Sequence, residues 1–351
     1  MRLLDNPIYR EDVDQVASLL LDWDHLTNTN LVLSGASGMI GSFLVDVLMT
    51  RNQQLGLNCT IHALARGREG LAERFAKYDG HPNLVLTAVD VSTGPVNIDS
   101  ADYVIHAASN THPKAYAQDP IGTITTNVQG TLTMLDLAAR TEAKRTIFLS
   151  TVEIYGENRA GIERLTESDL GYIDCNTLRA GYPESKRTGE ALCQAFREHY
   201  GLDVVIPRLP RVFGPTMRLN DSKALSQFLL NAVAGEEIVL KSEGKQYFSY
   251  CHVADAVGAI LTCLFDGQSG QAYNVADPSC DIRLKDLAQL VANTVGQQVV
   301  FELPDEVERR GYSTATLAVM DGSKLAGLGW APLYDLPVGI QRTVAVLKDI
   351  L

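Results

Sequence analysis

Cysteine is sparse in this 351-residue chain: six residues, at 59, 175, 193, 251, 263 and 280, with no C-x-x-C pair among them. This rules out a disulfide-stapled scaffold and a thiolate metal site, and it describes reduced thiols in a cytoplasmic protein. Long apolar runs are missing as well. No stretch approaches the ~18 consecutive apolar residues of a spanning helix, and Asp5 and Pro7 break the apolar start of MRLLDNPIYREDVDQ before a signal-peptide core forms. Positive charge is in deficit, 30 Lys plus Arg against 42 Asp plus Glu, for a net charge of −12. That field repels phosphate backbones and anionic lipid surfaces, so neither nucleic acid nor a membrane is expected as a partner. A small anion stays open, because a local nest of backbone N–H groups outweighs a distant net charge. What is present is 46% hydrophobic and 21% charged residues, enough to bury one large core or two fused domains.

Short apolar runs alternate with longer helical ones, the pattern of βαβ units on a parallel sheet. Candidate strands are Leu31–Leu33, Cys59–Leu64, Leu84–Leu86, Tyr103–His106, Thr146–Leu149 and Asp203–Ile206, with helical stretches near 40–50, 127–141 and 182–200. In the last, Leu192, Phe196 and Tyr200 recur at i, i+4, i+8 and mark one buried face. The fold class is α/β: a Rossmann-type doubly wound parallel sheet over 30–206, whose ligand sits at the C-terminal strand ends. Residues 1–29 carry an amphipathic run, Val13, Val16, Ala17 and Leu20, that reads as a packing helix ahead of the sheet. After Ile206 the cluster Pro207, Pro210, Gly214 and Pro215 precedes a helix-like 222–234. Residues 207–351 read as a smaller α/β substrate-binding region, interleaved with the sheet because the run Val253–Phe265 can return to pack on it.

The strongest local signal is Ser34-Gly35-Ala36-Ser37-Gly38-Met39-Ile40-Gly41, directly after a strand and opening a helix. Glycines serve the tight turn, the close approach of backbone to a pyrophosphate, and the helix–strand contact. The pyrophosphate then lies on the helix N-terminus, where free N–H groups and the dipole favour negative charge. This spacing differs from Gly-x-Gly-x-x-Gly, and either alone can be a plain turn; the strand–turn–helix setting makes it a dinucleotide site. An acidic residue at the end of the second strand would hold the adenosine ribose of NAD. Here that strand runs out through Ala65, Arg66, Gly67 and Arg68. The arginines can pair with a 2′-phosphate, or Arg66 can stack on adenine, so NAD and NADP both stay open. Asp90-Val91, after the third strand, either contacts adenine or is a plain turn carboxylate.

Gly181-Tyr182-Pro183-Glu184-Ser185-Lys186 puts Tyr182 and Lys186 four apart, on one face of a helix. A phenol titrates near ~10, and an ammonium beside it, with a nicotinamide's positive charge, favours the phenolate. So tuned, Tyr182 can take a proton from a sugar hydroxyl as hydride leaves the same carbon. Plain helix surfaces carry Tyr-x-x-x-Lys pairs too. Upstream, the strand ending at Leu149 leads into Ser150-Thr151-Val152-Glu153-Ile154-Tyr155-Gly156, whose hydroxyls face the crevice and can hydrogen-bond the reacting oxygen. Turn, strand edge and helix pair converge on one crevice, which carries more weight than any of them alone.

Further motifs follow in order: His106-Ala107-Ala108-Ser109, Asn127-Val128-x-Gly130-Thr131, Arg208-x-x-Arg211-Val212-Phe213-Gly214-Pro215, Tyr250-Cys251-His252-Val253-x-Asp255-Ala256 and Gly329-Trp330-x-Pro332. With these the chain, from residue 30 onward, resembles the extended short-chain dehydrogenase/reductases of the nucleotide-sugar epimerase/dehydratase family. The resemblance implies NAD as cofactor, a nucleotide sugar as substrate and a homodimer. It implies Tyr182 as base, Lys186 on the nicotinamide ribose and Thr151 on the sugar C4 oxygen. Gly35, Ser37, Gly38, Met39, Ile40, Gly41, Arg66, Asp90, Val91, Ala107, Ala108, Ser109 and Pro210 would border the cofactor, and Asn127 and Arg211 the substrate. Oxidation at C4 acidifies the C5 proton; elimination, decarboxylation or rotation follows.

Position 153 discriminates within the family. Simple 4-epimerases resemble Ser-Ala-Thr-Val-Tyr-Gly here, whereas dehydratases and glucuronate decarboxylases carry Glu before the hydrophobic-Tyr-Gly. Glu153 therefore implies a dehydratase or decarboxylase, with a 4-epimerase as the alternative; its carboxylate can take the C5 proton or assist loss of carbon dioxide. The chain also departs from the family. Val152 stands where thymidine-diphosphate-glucose dehydratases have the Asp that expels water. Phe248 stands where many members have an arginine for the substrate diphosphate, a role open to Lys245, Arg309 or Arg310. Arg211 replaces the usual Asn and adds charge near the sugar or phosphate. Two other functions compete: an NADPH-dependent carbonyl reductase, motivated by Arg66 and Arg68, and a non-catalytic NAD(P)-binding sensor, against which the intact Thr151, Tyr182 and Lys186 set argues.

Overall fold

The computed structural model describes residues 3–111, 118–302 and 315–351. Its first helix, α1 (Pro7–Ala17), starts where Asn6 caps it: the side-chain oxygen accepts from Ile8 N at 2.9 Å and Tyr9 N at 3.0 Å, and Pro7 takes a first-turn position that needs no N–H. Tyr9, Val13, Val16 and Ala17 are buried. Leu20, expected on the same face, lies beyond the cap at Ser18 and is exposed.

The chain continues through β1 (Asn30–Ser34), α2 (Met39–Leu55), β2 (Thr60–Ala65), α3 (Arg68–Arg74), β3 (Leu84–Ala88), β4 (Tyr103–His106), α4 (Pro120–Arg140), β5 (Arg145–Phe148), β6 (Ser150–Thr151) and α5 (Gly181–Tyr200). Then come β7 (Val204–Leu209), β8 (Arg211–Phe213), α6 (Ala224–Ala234), β9 (Ile238–Leu240), β10 (Tyr247–His252), α7 (Val253–Asp266) and β11 (Ala272–Asn274). The last elements are β12 (Asp281–Arg283), α8 (Leu284–Val295), β13 (Val299–Phe301), β14 (Leu317–Ala318), α9 (Ser323–Ala326) and α10 (Leu336–Ile350).

Eight strands form one parallel sheet in the order β11-β7-β5-β4-β1-β2-β3, with β6 alongside β7. Strand order reverses between β1 and β4, which opens a crevice at their C-terminal ends. β4 and β7 are buried at every residue, as a parallel sheet covered on both faces requires. α7 is buried from Val253 to Phe265; a helix apolar all round belongs inside, and it packs against α1, α2, β5 and β7. The 253–265 run thus does return to the sheet. β8 pairs with β10 in a smaller sheet with β12 and β14. Phe213, Phe228, Ile238 and Tyr250 build a second core together with Val152, Ile154 and Tyr155 from beyond β5, so the crevice lies where two cores meet.

The start of α4 and the strand β11 are among the parts of the fold that escaped the periodicity. α4 begins at Pro120 rather than near 127: Asp119 caps it by accepting from Gly122 N at 2.9 Å, and the apolar residues of its first turns, Ile121 and Ile124, are exposed, so its buried face is not marked there. β11 spans three residues, too few to show alternation. Buried carboxylates lock α1 into the whole. Asp46 of α2 accepts from Tyr9 Oη at 2.6 Å and Tyr78 Oη at 3.1 Å and pairs with Arg74, while Asp12 accepts from Tyr334 Oη at 2.7 Å and Arg342 Nε at 2.6 Å. Among the described residues no helix is long and apolar enough to cross a membrane.

Candidate active site

The turn after β1 has no room for a side chain at Gly35 or Gly41. Gly35 has φ +75°, and a Cβ there would come within 2.7 Å of the Ala107 carbonyl and Ala108 N; one on Gly41 would come within 2.3 Å of Gly35 O. No side chain caps α2 at Gly38, so the first-turn amides of Met39, Ile40 and Gly41 are left for an anion. Ser37 sits inside the same turn. The floor is rigid: Ser34 Oγ lies 2.7 Å from His106 Nδ1 and accepts from Ala107 N at 3.2 Å and Ala108 N at 3.4 Å. Burial, with the Lys186 charge nearby, pushes the His106 pKa down to about 3, so the ring stays neutral. A cradle that any Cβ would fill, on an uncapped helix, fits the pyrophosphate of a dinucleotide.

Around the cradle the other cofactor candidates fall at varied depth. Arg66 follows β2 directly, is exposed, and reaches Asn110 Oδ1 at 3.4 Å. Asp90 is a turn carboxylate: its Oδ1 accepts from Ser92 N at 2.9 Å and Ser92 Oγ at 2.6 Å. Val91 is buried against Gly130. Ala107, Ser109 and Pro210 line the cleft.

On the opposite side Thr151 caps a short helical turn, Val152–Tyr155, its Oγ1 accepting from Glu153 N at 3.3 Å. That contact uses a lone pair and leaves the hydroxyl proton to donate. Tyr182 and Lys186 stand on successive turns of α5, both buried. Lys186 Nζ donates to Leu149 O at 2.9 Å and lies 5.0 Å from the Phe148 ring centre. Burial pulls its pKa down from the lysine value of 10.5 to about 8, with Cys193 and Glu190 opposing. Glu153 is clasped from two sides, by Arg179 at 2.6 Å on Oε2 and Arg211 at 3.4 Å on Oε1. Gly35, Thr151, Glu153, Tyr182, Lys186 and Arg211 all line one cleft of about 560 Å³, a volume suited to a ligand larger than a simple metabolite.

Two substrate candidates are not brought there. Asn127 is buried behind α5: its Oδ1 accepts from Ser109 Oγ at 2.7 Å and its Nδ2 donates to Ser185 Oγ at 2.8 Å, and Ser185 Oγ donates to Tyr182 O at 2.8 Å. It braces the Tyr182 turn instead of facing substrate. Lys245 is corrected likewise: its side chain is 79% exposed, paired with Glu243, and outside the cleft lining. A loop position at the surface lets a lysine keep its ammonium hydrated. Arg309 and Arg310 lie outside the described residues. Conversely, Arg179, Arg218, Lys223 and Lys241 line the cleft without having been singled out. Only Arg179 left a trace in the sequence, a base one turn before Tyr182.

A family model described as "NAD dependent epimerase/dehydratase family" matches residues 31–276. UDP-glucuronic acid decarboxylase 1 of Xenopus tropicalis is 30% identical over 318 residues, covering 90% of this chain and 71% of its own. UDP-glucuronic acid decarboxylase 3 of Arabidopsis thaliana is 30% identical over 317 residues, covering 89% of this chain and 87% of its own. Among solved structures, a dTDP-glucose 4,6-dehydratase from Streptomyces venezuelae with NAD and TYD bound matches with a TM-score of 0.78 at 24% identity, over 91% of this chain and 97% of that one. A UDP-N-acetylglucosamine 4-epimerase from Methanobrevibacter ruminantium, in complex with UDP-N-acetylmuramic acid, matches with a TM-score of 0.79 at 22% identity, over 93% and 100%. At these identities the structural likeness speaks for the fold.

Proposed function

Since the chain belongs to the NAD dependent epimerase/dehydratase family, we propose that it oxidises a nucleotide-linked sugar transiently at C4 and then decarboxylates it, with a nucleotide-linked uronic acid as substrate. The observation that carries this reading is the convergence of Thr151, Glu153, Tyr182 and Lys186 on a cleft continuous with the glycine turn. The curated relatives named UDP-glucuronic acid decarboxylases support the choice of substrate.

NAD, when bound, supplies the acceptor for the hydride leaving C4. Tyr182 Oη takes the C4 hydroxyl proton, and the Lys186 ammonium favours the phenolate that does so. Thr151 Oγ1 donates to the C4 oxygen, holding it as it becomes a carbonyl. With a ketone at C4 and a carboxylate on C5, the C5–C6 bond breaks, carbon dioxide leaves, and its electron pair passes through C5 to the C4 oxygen held by Thr151 and Tyr182. Dehydration is the second reading, favoured by Glu153: its carboxylate in the cleft can take the C5 proton while a C6 hydroxyl leaves. Incubation with UDP-, dTDP-, GDP- and CDP-sugars and uronic acids, read by mass spectrometry, separates them. Loss of 44 mass units from a uronic acid supports decarboxylation, loss of 18 the second reading, an unchanged mass with a new anomeric spectrum epimerisation; no turnover of any counts against the class.

The pH profile follows from Lys186. Its cation disappears as pH rises through about 8, so kcat/KM should fall above that value; a flat profile from pH 7 to 10 would contradict the assigned role. Stability should move the other way. Between about 8 and 10.5 the unfolded chain binds the proton that the folded protein has lost, so folding gains with pH in that window.

A homodimer and a cytoplasmic location complete the reading. α4 and α5 pack on each other, and the start of α4 exposes Ile121 and Ile124, apolar surface suited to a second copy, and five of the six free thiols are buried. A solution mass of one chain would remove the dimer.

A further inference from the structure

Two arginines three residues apart near the cleft meet different fates. Arg208 has every group engaged: Nε and Nη2 donate to the two Glu190 oxygens at 3.0 and 2.7 Å, and Nη1 donates to Tyr155 Oη at 2.9 Å and Glu167 O at 2.7 Å. It is a finished structural ion pair. Arg211 is unfinished. On β8 it pairs in register with Tyr250 of β10, and Phe248, two residues along and so on the same face, lies beneath it with the guanidinium carbon 3.4 Å from the ring centre. Stacking fixes the plane of the guanidinium and leaves its rim of N–H groups for in-plane acceptors. Only one of these reaches a carboxylate, Nη2 to Glu153 Oε1 at a long 3.4 Å, and Nη1 is buried with no acceptor. A buried donor without a partner, on an oriented cation in a cleft wall, marks a place completed by a ligand.

We propose that Arg211 is a binding residue for an anionic oxygen of the nucleotide sugar. The inference rests on the nucleotide-sugar reading and extends it to a residue that discriminates substrates. Carboxylate and phosphate both offer the oxygen pairs that a guanidinium fork grips, so the sugar carboxylate and the diphosphate are the two sources. Of the other bases, Arg179 already holds Glu153 at 2.6 Å, and Lys245 lies outside the cleft. The long Glu153 contact is the one Arg211 would trade for the incoming anion.

The test uses full-length NAD-loaded protein carrying Tyr182→Phe, so that ligands are not turned over, with and without Arg211→Gln. Calorimetric titration with UDP, UDP-glucose and UDP-glucuronic acid separates the sources. A loss of about tenfold or more, the usual scale for a charge-assisted pair, for all three ligands assigns Arg211 to the diphosphate. A loss confined to UDP-glucuronic acid assigns it to the sugar carboxylate. Either upholds an anion ligand, and unchanged affinity for all three overturns it. Should Arg211→Gln fold poorly, Arg211→Lys keeps the charge without the fork and Phe248→Leu keeps the fork without its platform; both should bind more weakly, and wild-type affinity in both overturns the proposal. If the Arg211 parent binds none of the three, the reading of a UDP-linked uronic acid as substrate itself fails.

Discussion

Tyr182→Phe is expected to lower turnover about 10²–10⁴-fold, the usual worth of a positioned general base, while NAD remains bound. The substitution removes one oxygen and nothing else. Tyr182 is 6% exposed, its backbone carbonyl is held by Ser185 and through it by Asn127, and a phenylalanine ring fills the same space. Lys186 keeps its bond to Leu149 O, so the cofactor contacts on that side survive. What is lost is the acceptor for the C4 hydroxyl proton, and without it hydride departure leaves a protonated carbonyl in a cleft lined by arginines. Turnover followed by mass change, with NAD released by heat and counted by absorbance, tests both halves. Activity within threefold of the parent would remove Tyr182 from the mechanism, and loss of NAD would show that the phenol is chiefly a cofactor ligand.

The second large effect is expected at Gly41. A Cβ there would lie 2.3 Å from Gly35 O and 2.9 Å from Ala36 Cα. Both are backbone atoms of the cradle, so no flexible side chain can swing aside. Gly41→Val must push the turn away from α2 or shift the helix start. Overpacking of this kind costs about 1–3 kcal/mol; set against the bound geometry, that is about five- to 150-fold in NAD affinity. The variant should purify with little NAD and show a weakened cofactor-induced thermal shift. Gly67→Ala is the control, since Gly67 has open space around it and φ −107°. Equal NAD content in Gly41→Val and the parent would mean that pyrophosphate does not sit on this turn.

The parts of the site that could be read in advance are those made by neighbours in sequence. The phosphate turn spans 34–41, and its geometry is set by which of eight consecutive residues lack a Cβ. Tyr182 and Lys186 are one helical turn apart, and Thr151 caps the turn that carries Glu153. Short-range rules of turn, cap and helix spacing are enough for these. The parallel sheet was legible for a related reason, because buried strands are continuous apolar runs whichever partner they take.

Other assignments depended on where distant segments meet. Lys245 and Arg211 were equally plausible anion ligands on paper. Pairing of β8 with β10 stacks Arg211 on Phe248 inside the cleft, while Lys245 lies just outside β10 with its ammonium in water. Asn127 reads as a polar residue facing substrate, yet the packing of α4 on α5 uses up its amide on Ser109 and Ser185. Glu153, Arg179 and Arg211 come from three segments and form one charge cluster. The amino-acid sequence by itself determined the fold class, the cradle and the Tyr182–Lys186 pair, because each follows from local periodicity and sterics. Only the tertiary structure decided which charges face the cleft, since a side chain's partner depends on strand register and helix packing, and these are settled by the burial of residues far away in the chain.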